Sequence, residues 1–187
     1  MSQTIYAFPP RSRAVWMTRL NAEMNSAIRK LRDTGSVKTT FVLYRQDDVW
    51  LDFYLPLTRD EQKYAVYDFL KLMCIAADAV GFMLTGEAWL VNRNDTDDWP
   101  VPAEAPDRKE VITITLVYYD DNNRHVLSAT RAILRNNEGA VIDTAPIYSP
   151  DDPSIGGSVS DILPEQRATD EQRVAALRLL EMMPSPL

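Results

Sequence analysis

The sequence predicts an α+β fold built on an antiparallel sheet of about five to six strands, with helices packed mainly on one face. Three observations carry this. Apolar residues recur at helical spacing in three separated segments. Between them lie runs of β-branched and aromatic residues with period-two alternation. The order of the segments, α, ββ, α, ββββ, α, does not alternate strictly, which argues against a parallel sheet. The 187 residues fit one domain, 1–187, and 45% hydrophobic with 25% charged residues supports a packed core.

The first helix is expected over 11–33. Met17, Leu20, Met24, Ala27, Ile28 and Leu31 form one stripe at three- and four-residue steps, and Gly35 follows as a stop. The α+β core is expected over 37–148. Segments 37–45 and 49–55 read as a hairpin around a short Gln-Asp-Asp turn. Pro56 ends the second strand. Thr58 and Glu61 have the spacing of a capping box, opening a helix to about Val80. Its buried face is expected to hold Ala65, Val66, Phe69, Leu70, Met73, Ala76, Ala77 and Val80, with Asp78 on the wet face and Cys74 as a small packing residue. Four strands follow, 82–92, 110–119, 125–135 and 140–148, the last three as a C-terminal meander joined by Asp- and Asn-rich turns. A loop over 149–166 leads to a last helix, 168–182, with Thr169 or Asp170 as N-cap.

Charge is unevenly spread. Residues 1–46 carry eight basic and two acidic side chains, a net +6. Residues 47–187 carry twelve basic and twenty-five acidic ones, a net −13. An acidic body repels nucleic acid and membrane surfaces at long range, so neither is an expected partner. The basic first segment either neutralises the acidic body or holds an anion. No apolar run reaches the length of a membrane span, and the first residues lack the apolar core of a secretory signal, so the expected location is cytoplasmic.

Motifs for chemistry are sparse. His125 is the single histidine and Cys74 the single cysteine, so neither a zinc site nor an intrachain disulfide is expected. His125 follows a turn and reads as an exposed strand-end residue. Residues 156–160, Gly-Gly-Ser-Val-Ser, lack the last glycine of a nucleophile elbow. Residues 94–98 lack the glycine and glutamate of an EF-hand loop. The acidic pairs Asp97/Asp98, Asp120/Asp121 and Asp151/Asp152 read as solvated loops. No catalytic residue, cofactor or metal is expected, and the chain reads as a non-enzyme.

One residue stands out. Glu87 falls within an otherwise strand-like run, two positions before Trp89. Alternation puts Leu84, Gly86, Ala88 and Leu90 on one face and Thr85, Glu87 and Trp89 on the other. Combined with Thr113 and Thr115, this predicts a polar face bearing aromatic residues. A partly buried carboxylate needs a partner, and Arg108 or Arg131 are the candidates. The alternative is that Glu87, Thr85, Thr113, Thr115 and Arg131 line a shallow pocket or a protein-binding face.

Residues Gly86 to Leu90 (Gly-Glu-Ala-Trp-Leu) and Pro106 to Val111 (Pro-Asp-Arg-Lys-Glu-Val) resemble a pattern in small uncharacterised phage and prophage proteins. There a Glu-Ala-Trp strand is followed by Pro-Asp-Arg and an acidic residue opening the next strand. The residues carrying the resemblance are Glu87, Ala88, Trp89, Pro106, Asp107, Arg108 and Glu110. It implies a mobile-element origin, a cytoplasmic setting and an accessory role, and it brings no chemistry.

These readings converge on a binding protein: a phage-encoded accessory or anti-defence inhibitor whose acidic surface meets a basic surface on a host or phage protein. The alternative is sequestration of a small phosphorylated ligand or nucleotide signal by the basic first helix, through Arg13, Arg19, Lys30 and Arg45 with Trp16 and Tyr44. Partner-binding candidates are Glu87, Trp89, Arg108 and Arg131. A homodimer is expected, formed through the polar sheet face or the first helix.

Overall fold

A computed structural model describes residues 12–46, 49–55, 60–90, 108–120, 123–148 and 159–183. Among them, six strands form one antiparallel sheet flanked by three helices, an α+β fold. In chain order the elements are α1 (Arg13–Thr34), β1 (Thr40–Tyr44), β2 (Val49–Tyr54), α2 (Asp60–Ala76), β3 (Gly81–Leu90), β4 (Lys109–Asp120), β5 (Asn123–Arg135), β6 (Val141–Tyr148), a 3-10 turn (Ser160–Ile162) and α3 (Asp170–Met182). The strands lie in the order β2-β1-β3-β4-β5-β6, so β4, β5 and β6 form the expected meander. The capping box at Thr58 and Glu61 falls outside the described residues, as do all of 91–107 and 149–158.

The helices do not share a face. α2 and α3 lie on one side, as expected, but α1 covers the other. In β1, Phe41 and Leu43 pack toward α2, while Val42 and Tyr44 pack toward α1. β4 divides in the same way: Ile112, Ile114, Leu116 and Tyr118 belong to the α1 side, and Val117 and Tyr119 to the α2 side. The sheet face expected to be open to a symmetry mate is therefore covered by α1 over β3, β4, β5 and β6.

α1 buries Trp16, Leu20, Met24, Ala27 and Leu31, a stripe at steps of four, four, three and four. Trp16, absent from the expected stripe, is its largest member. Its ring meets Tyr44 edge-on and Tyr118 at a tilt, each 5.2 Å between centroids. Gly35 ends the helix in the left-handed conformation (φ 78°), donating its N–H to the Leu31 carbonyl.

α2 stops earlier than the apolar pattern suggests. Asp78 adopts φ 50°, a left-handed stop that most residues disfavour. Its carboxylate is fixed by Arg167 at 2.7 Å and Arg173 at 2.8 Å. Asp78, expected on the wet face, is thus the joint between the end of α2 and α3. Thr169 caps α3 through a reciprocal box with Gln172, as its position suggested. The 3-10 turn, which the sequence did not reveal, is tied to the β4–β5 turn end of the sheet. Arg124 donates to the carbonyls of Ser160 (3.1 Å) and Leu163 (2.9 Å), and the Tyr119 hydroxyl donates to Pro164 O at 2.6 Å.

Replacing Asp78 by Ala removes the carboxylate from two guanidinium groups and leaves a Cβ-bearing residue in the left-handed conformation without its contacts. The expected loss is about 2 kcal/mol or more, seen as a lower urea midpoint. Earlier proteolytic cleavage within α3 is expected with it; unchanged protection of α3 would refute the joint.

Candidate functional site

The return from α1 to β1 must be fastened to the sheet, and Glu87 does this. Val37 donates its backbone N–H to Glu87 Oε1 at 2.5 Å. Two positions back along the chain, the Gly35 carbonyl accepts from Arg135 at 3.2 Å. Arg135 also forms a two-pronged pair with Glu110, both contacts 2.6 Å, and donates to the Gly139 carbonyl at 3.1 Å. One guanidinium thereby joins β5, β4, the β5–β6 turn and the end of α1.

Glu87 pairs in register with Ile112, so it lies on the α1 face of the sheet with Ile112 and Ile114. Thr113 and Thr115 point to the other face. The polar face assembled from the sequence therefore divides between two sides. The expected arginine partners are engaged elsewhere. Arg108 lies over the Trp89 ring at 4.7 Å. Arg131 donates to the Thr144 hydroxyl at 3.0 Å and the Thr144 carbonyl at 2.8 Å. The group that faces Glu87 is a backbone amide, with Arg135 further off.

Burial raises the Glu87 carboxyl above its ordinary value. The Val37 N–H lowers it, nearby Glu110 raises it, and Arg135 lowers it. Glu23 on α1 is raised as well, again chiefly by burial; Lys30 opposes this, Asp52 adds to it and the buried Thr85 hydroxyl opposes it. These two carboxyls serve packing at the α1–sheet boundary. Cys74 is buried among apolar neighbours, which pushes its thiol up and makes the thiolate nucleophile inaccessible at neutral pH.

The eight candidate residues do not form one site. Arg13 and Arg19 lie at the N-terminal end of α1, Arg19 stacked 4.9 Å over Tyr44 and 5.9 Å over Trp16. Lys30 lies eleven residues beyond Arg19, about 16 Å along the axis, and its charge acts on Glu23. Arg45 is exposed just past β1. Trp16 and Tyr44, expected to stack on a ligand, are buried at 1% and 3% exposure and belong to the core. His125 is exposed, as expected, and stacks on Tyr118 at 5.4 Å. Among the described residues, no three His, Cys, Asp or Glu side chains approach closely enough to hold a metal ion. No helix among them is long and apolar enough to cross a membrane.

Sequence reasoning missed a notch of about 180 Å³ beside α2, lined by Tyr64, Tyr67, Asp68, Lys71, Asp161 and Ile162. Tyr64 is 69% exposed there. The two polar faces of α2 and the 3-10 turn meet only in three dimensions, so no local motif announces it. No family model, curated protein or solved structure matches the chain.

The raised Glu87 carboxyl has a signed consequence. The folded chain holds that proton more readily than the unfolded chain does. Its contribution to stability is fully present below about pH 4.5 and is lost as pH climbs through the raised value. Glu87→Gln keeps an acceptor for Val37 and is expected to fold normally while flattening that part of the stability–pH curve. Glu87→Ala leaves the Val37 amide without its acceptor and is expected to cost about 1–3 kcal/mol. Denaturant melts across pH 4 to 8 check both, and a wild-type curve unchanged by Glu87→Gln would refute the assignment.

Proposed function

We propose that this chain is a non-enzymatic binding protein that acts by protein–protein contact, its acidic helical layer meeting a basic surface on the partner. The observation that carries this reading is how the layer of α2, the 3-10 turn and α3 disposes its charges. Arg124, Arg167 and Arg173 turn inward onto backbone carbonyls and Asp78. Asp161, Glu165 and Asp170 stand outward at 68%, 87% and 87% side-chain exposure. Asp161 and Glu165 also lie 3.5 and 3.9 Å from Arg124, and Asp170 pairs with Arg173, so each of these carboxylates shares an arginine with the inner contacts while most of its surface faces solvent.

The sheet separates this layer from α1, which carries five basic and two acidic side chains. Such segregation orients an approaching basic surface and speeds its encounter. The notch lined by Tyr64, Asp68 and Asp161 gives that surface a specific foothold: two carboxylates beside an aromatic ring outnumber the one cation there, Lys71, and suit a lysine or arginine side chain. Together with the resemblance of residues 86–90 and 106–111 to phage and prophage proteins, this favours a phage-encoded accessory or anti-defence inhibitor in the host cytoplasm.

Capture from host lysate on the immobilised chain is expected to yield a partner at low salt that is lost at high salt. Charge reversal at Asp68 and Asp161 together is expected to abolish capture without unfolding the chain. A partner retained by that double variant, or no salt-sensitive partner, would refute the reading.

The second reading, a phosphorylated ligand at the basic helix, rests on Arg13 and Arg19 standing near the N-terminal end of α1, where the helix field favours anions. It ranks lower because Trp16 and Tyr44 are committed to the core and Lys30 is remote. A nucleotide that binds only the folded chain must raise its melting temperature; no shift with any member of a nucleotide panel removes this reading.

A further inference from the structure

We infer that α3 is a strap closed by an ionic clasp. It leaves α2 and unwinds as one unit while the sheet stays folded. The trigger is loss of the attraction between Asp78 and the two arginines Arg167 and Arg173, and release bares Leu72 and Ile75 of α2. This goes beyond the proposed function and does not depend on it.

Burial holds α3 weakly. Of its 13 residues only Arg173, Ala176 and Leu180 are not exposed, and Ala176 alone is buried. An alanine methyl removes little apolar surface from water. A groove of about 610 Å³ is lined by Leu72 and Ile75 of α2 and by Ala175 and Leu179 of α3, so much of this boundary is open instead of packed. The chain just before α3 is held far better. Ile162 and Leu163 are each 1% exposed, and the carbonyls of Leu163 and Pro164 accept from Arg124 and the Tyr119 hydroxyl. Glu165 and Gln166, both exposed, follow as the hinge.

The clasp supplies the rest. Arg167 and Arg173 converge on one oxygen, Asp78 Oδ2, at 2.7 and 2.8 Å. They stand on either side of the Thr169 cap, so this one oxygen holds both the entry to α3 and its first turn. All three side chains are about a third exposed, where dissolved ions screen their attraction. A helix of 13 residues is marginal by itself, so once freed from α2 it loses its backbone hydrogen bonds as well. Such a segment opens as a separate cooperative unit, at a free energy below that of global unfolding.

Amide hydrogen exchange of the full chain, without any partner, tests this through peptides from α3 and β4. Relative to their intrinsic rates, α3 amides are expected to exchange at least about tenfold faster than those of buried β4. Raising sodium chloride from about 0.05 M to about 0.5 M shortens the screening length and is expected to speed α3 exchange about threefold, with β4 unchanged. Asp78→Asn keeps the side-chain size and tolerates the left-handed backbone, so the helix stop survives while the charge is lost. It is expected to speed α3 exchange at low salt and to abolish the salt response. Arg173→Gln, on the other side of the clasp, is expected to speed α3 exchange and weaken that response. α3 amides as protected as those of β4 would overturn the inference. So would a salt response that persists undiminished in Asp78→Asn, or variants that speed β4 as much as α3. Lysate capture through Asp68 and Asp161 reads the proposed function separately, so either idea can fail alone.

Discussion

The fold rests on one constraint: the central strands bury both of their faces. Every residue of β1 is buried. Phe41 and Leu43 pack on the α2 side, and Phe41 stacks on Phe82 at 5.3 Å. Val42 and Tyr44 pack on the α1 side. A sheet with apolar residues on alternate positions of both faces is stable only when each side is covered. α1 cannot therefore be an optional appendage, and the α2–α3 layer cannot replace it. The tethers described above, Glu87 to Val37, Arg135 to Gly35, and Asp78 to Arg167 and Arg173, fix layers that hydrophobic burial has already brought together.

Much of this was legible along the chain. The α1 stripe, the Gly35 stop, the hairpin, the meander and the Thr169 cap each follow from local chemistry that needs no partner. Face assignment did not. β4 and β5 are joined by a short turn, which limits their register. β3 and β4 are joined through residues 91–108, too long a connection to set pairing. Alternation without register groups Thr85 and Glu87 with Thr113 and Thr115, whereas Thr85 pairs with Ile114 and Glu87 with Ile112. Trp16, read from sequence as a ligand-stacking residue beside Arg13 and Arg19, is instead the first member of the α1 core stripe, because Tyr44 and Tyr118 close over its ring. Asp78 was misplaced because its partners lie about 90 residues away (Arg167, sequence separation 89).

Glu87 shows why a conspicuous polar residue in a strand is weak evidence of chemistry. Its acceptor oxygen answers a backbone donor that the α1–β1 return would otherwise bury. The raised carboxyl pKa is a by-product of that placement. The exposed charged and aromatic side chains of α2, the 3-10 turn and α3 lie on the far side of the sheet from Glu87. There Arg124, Arg167 and Arg173 hold the layer together through carbonyls, Asp78 and neighbouring carboxylates, and Tyr64 stands 69% exposed.

The bond between Arg135 and Gly35 spans a sequence separation of 100 residues. Helix α1, synthesised before every strand of the sheet, therefore has no finished seat until the meander that follows it has emerged. Its apolar stripe waits through the synthesis of β1 to β5, and closure of so long a loop is entropically slow. During that interval the nascent chain exposes Trp16, Leu20 and Leu31, which the finished fold buries completely or nearly so.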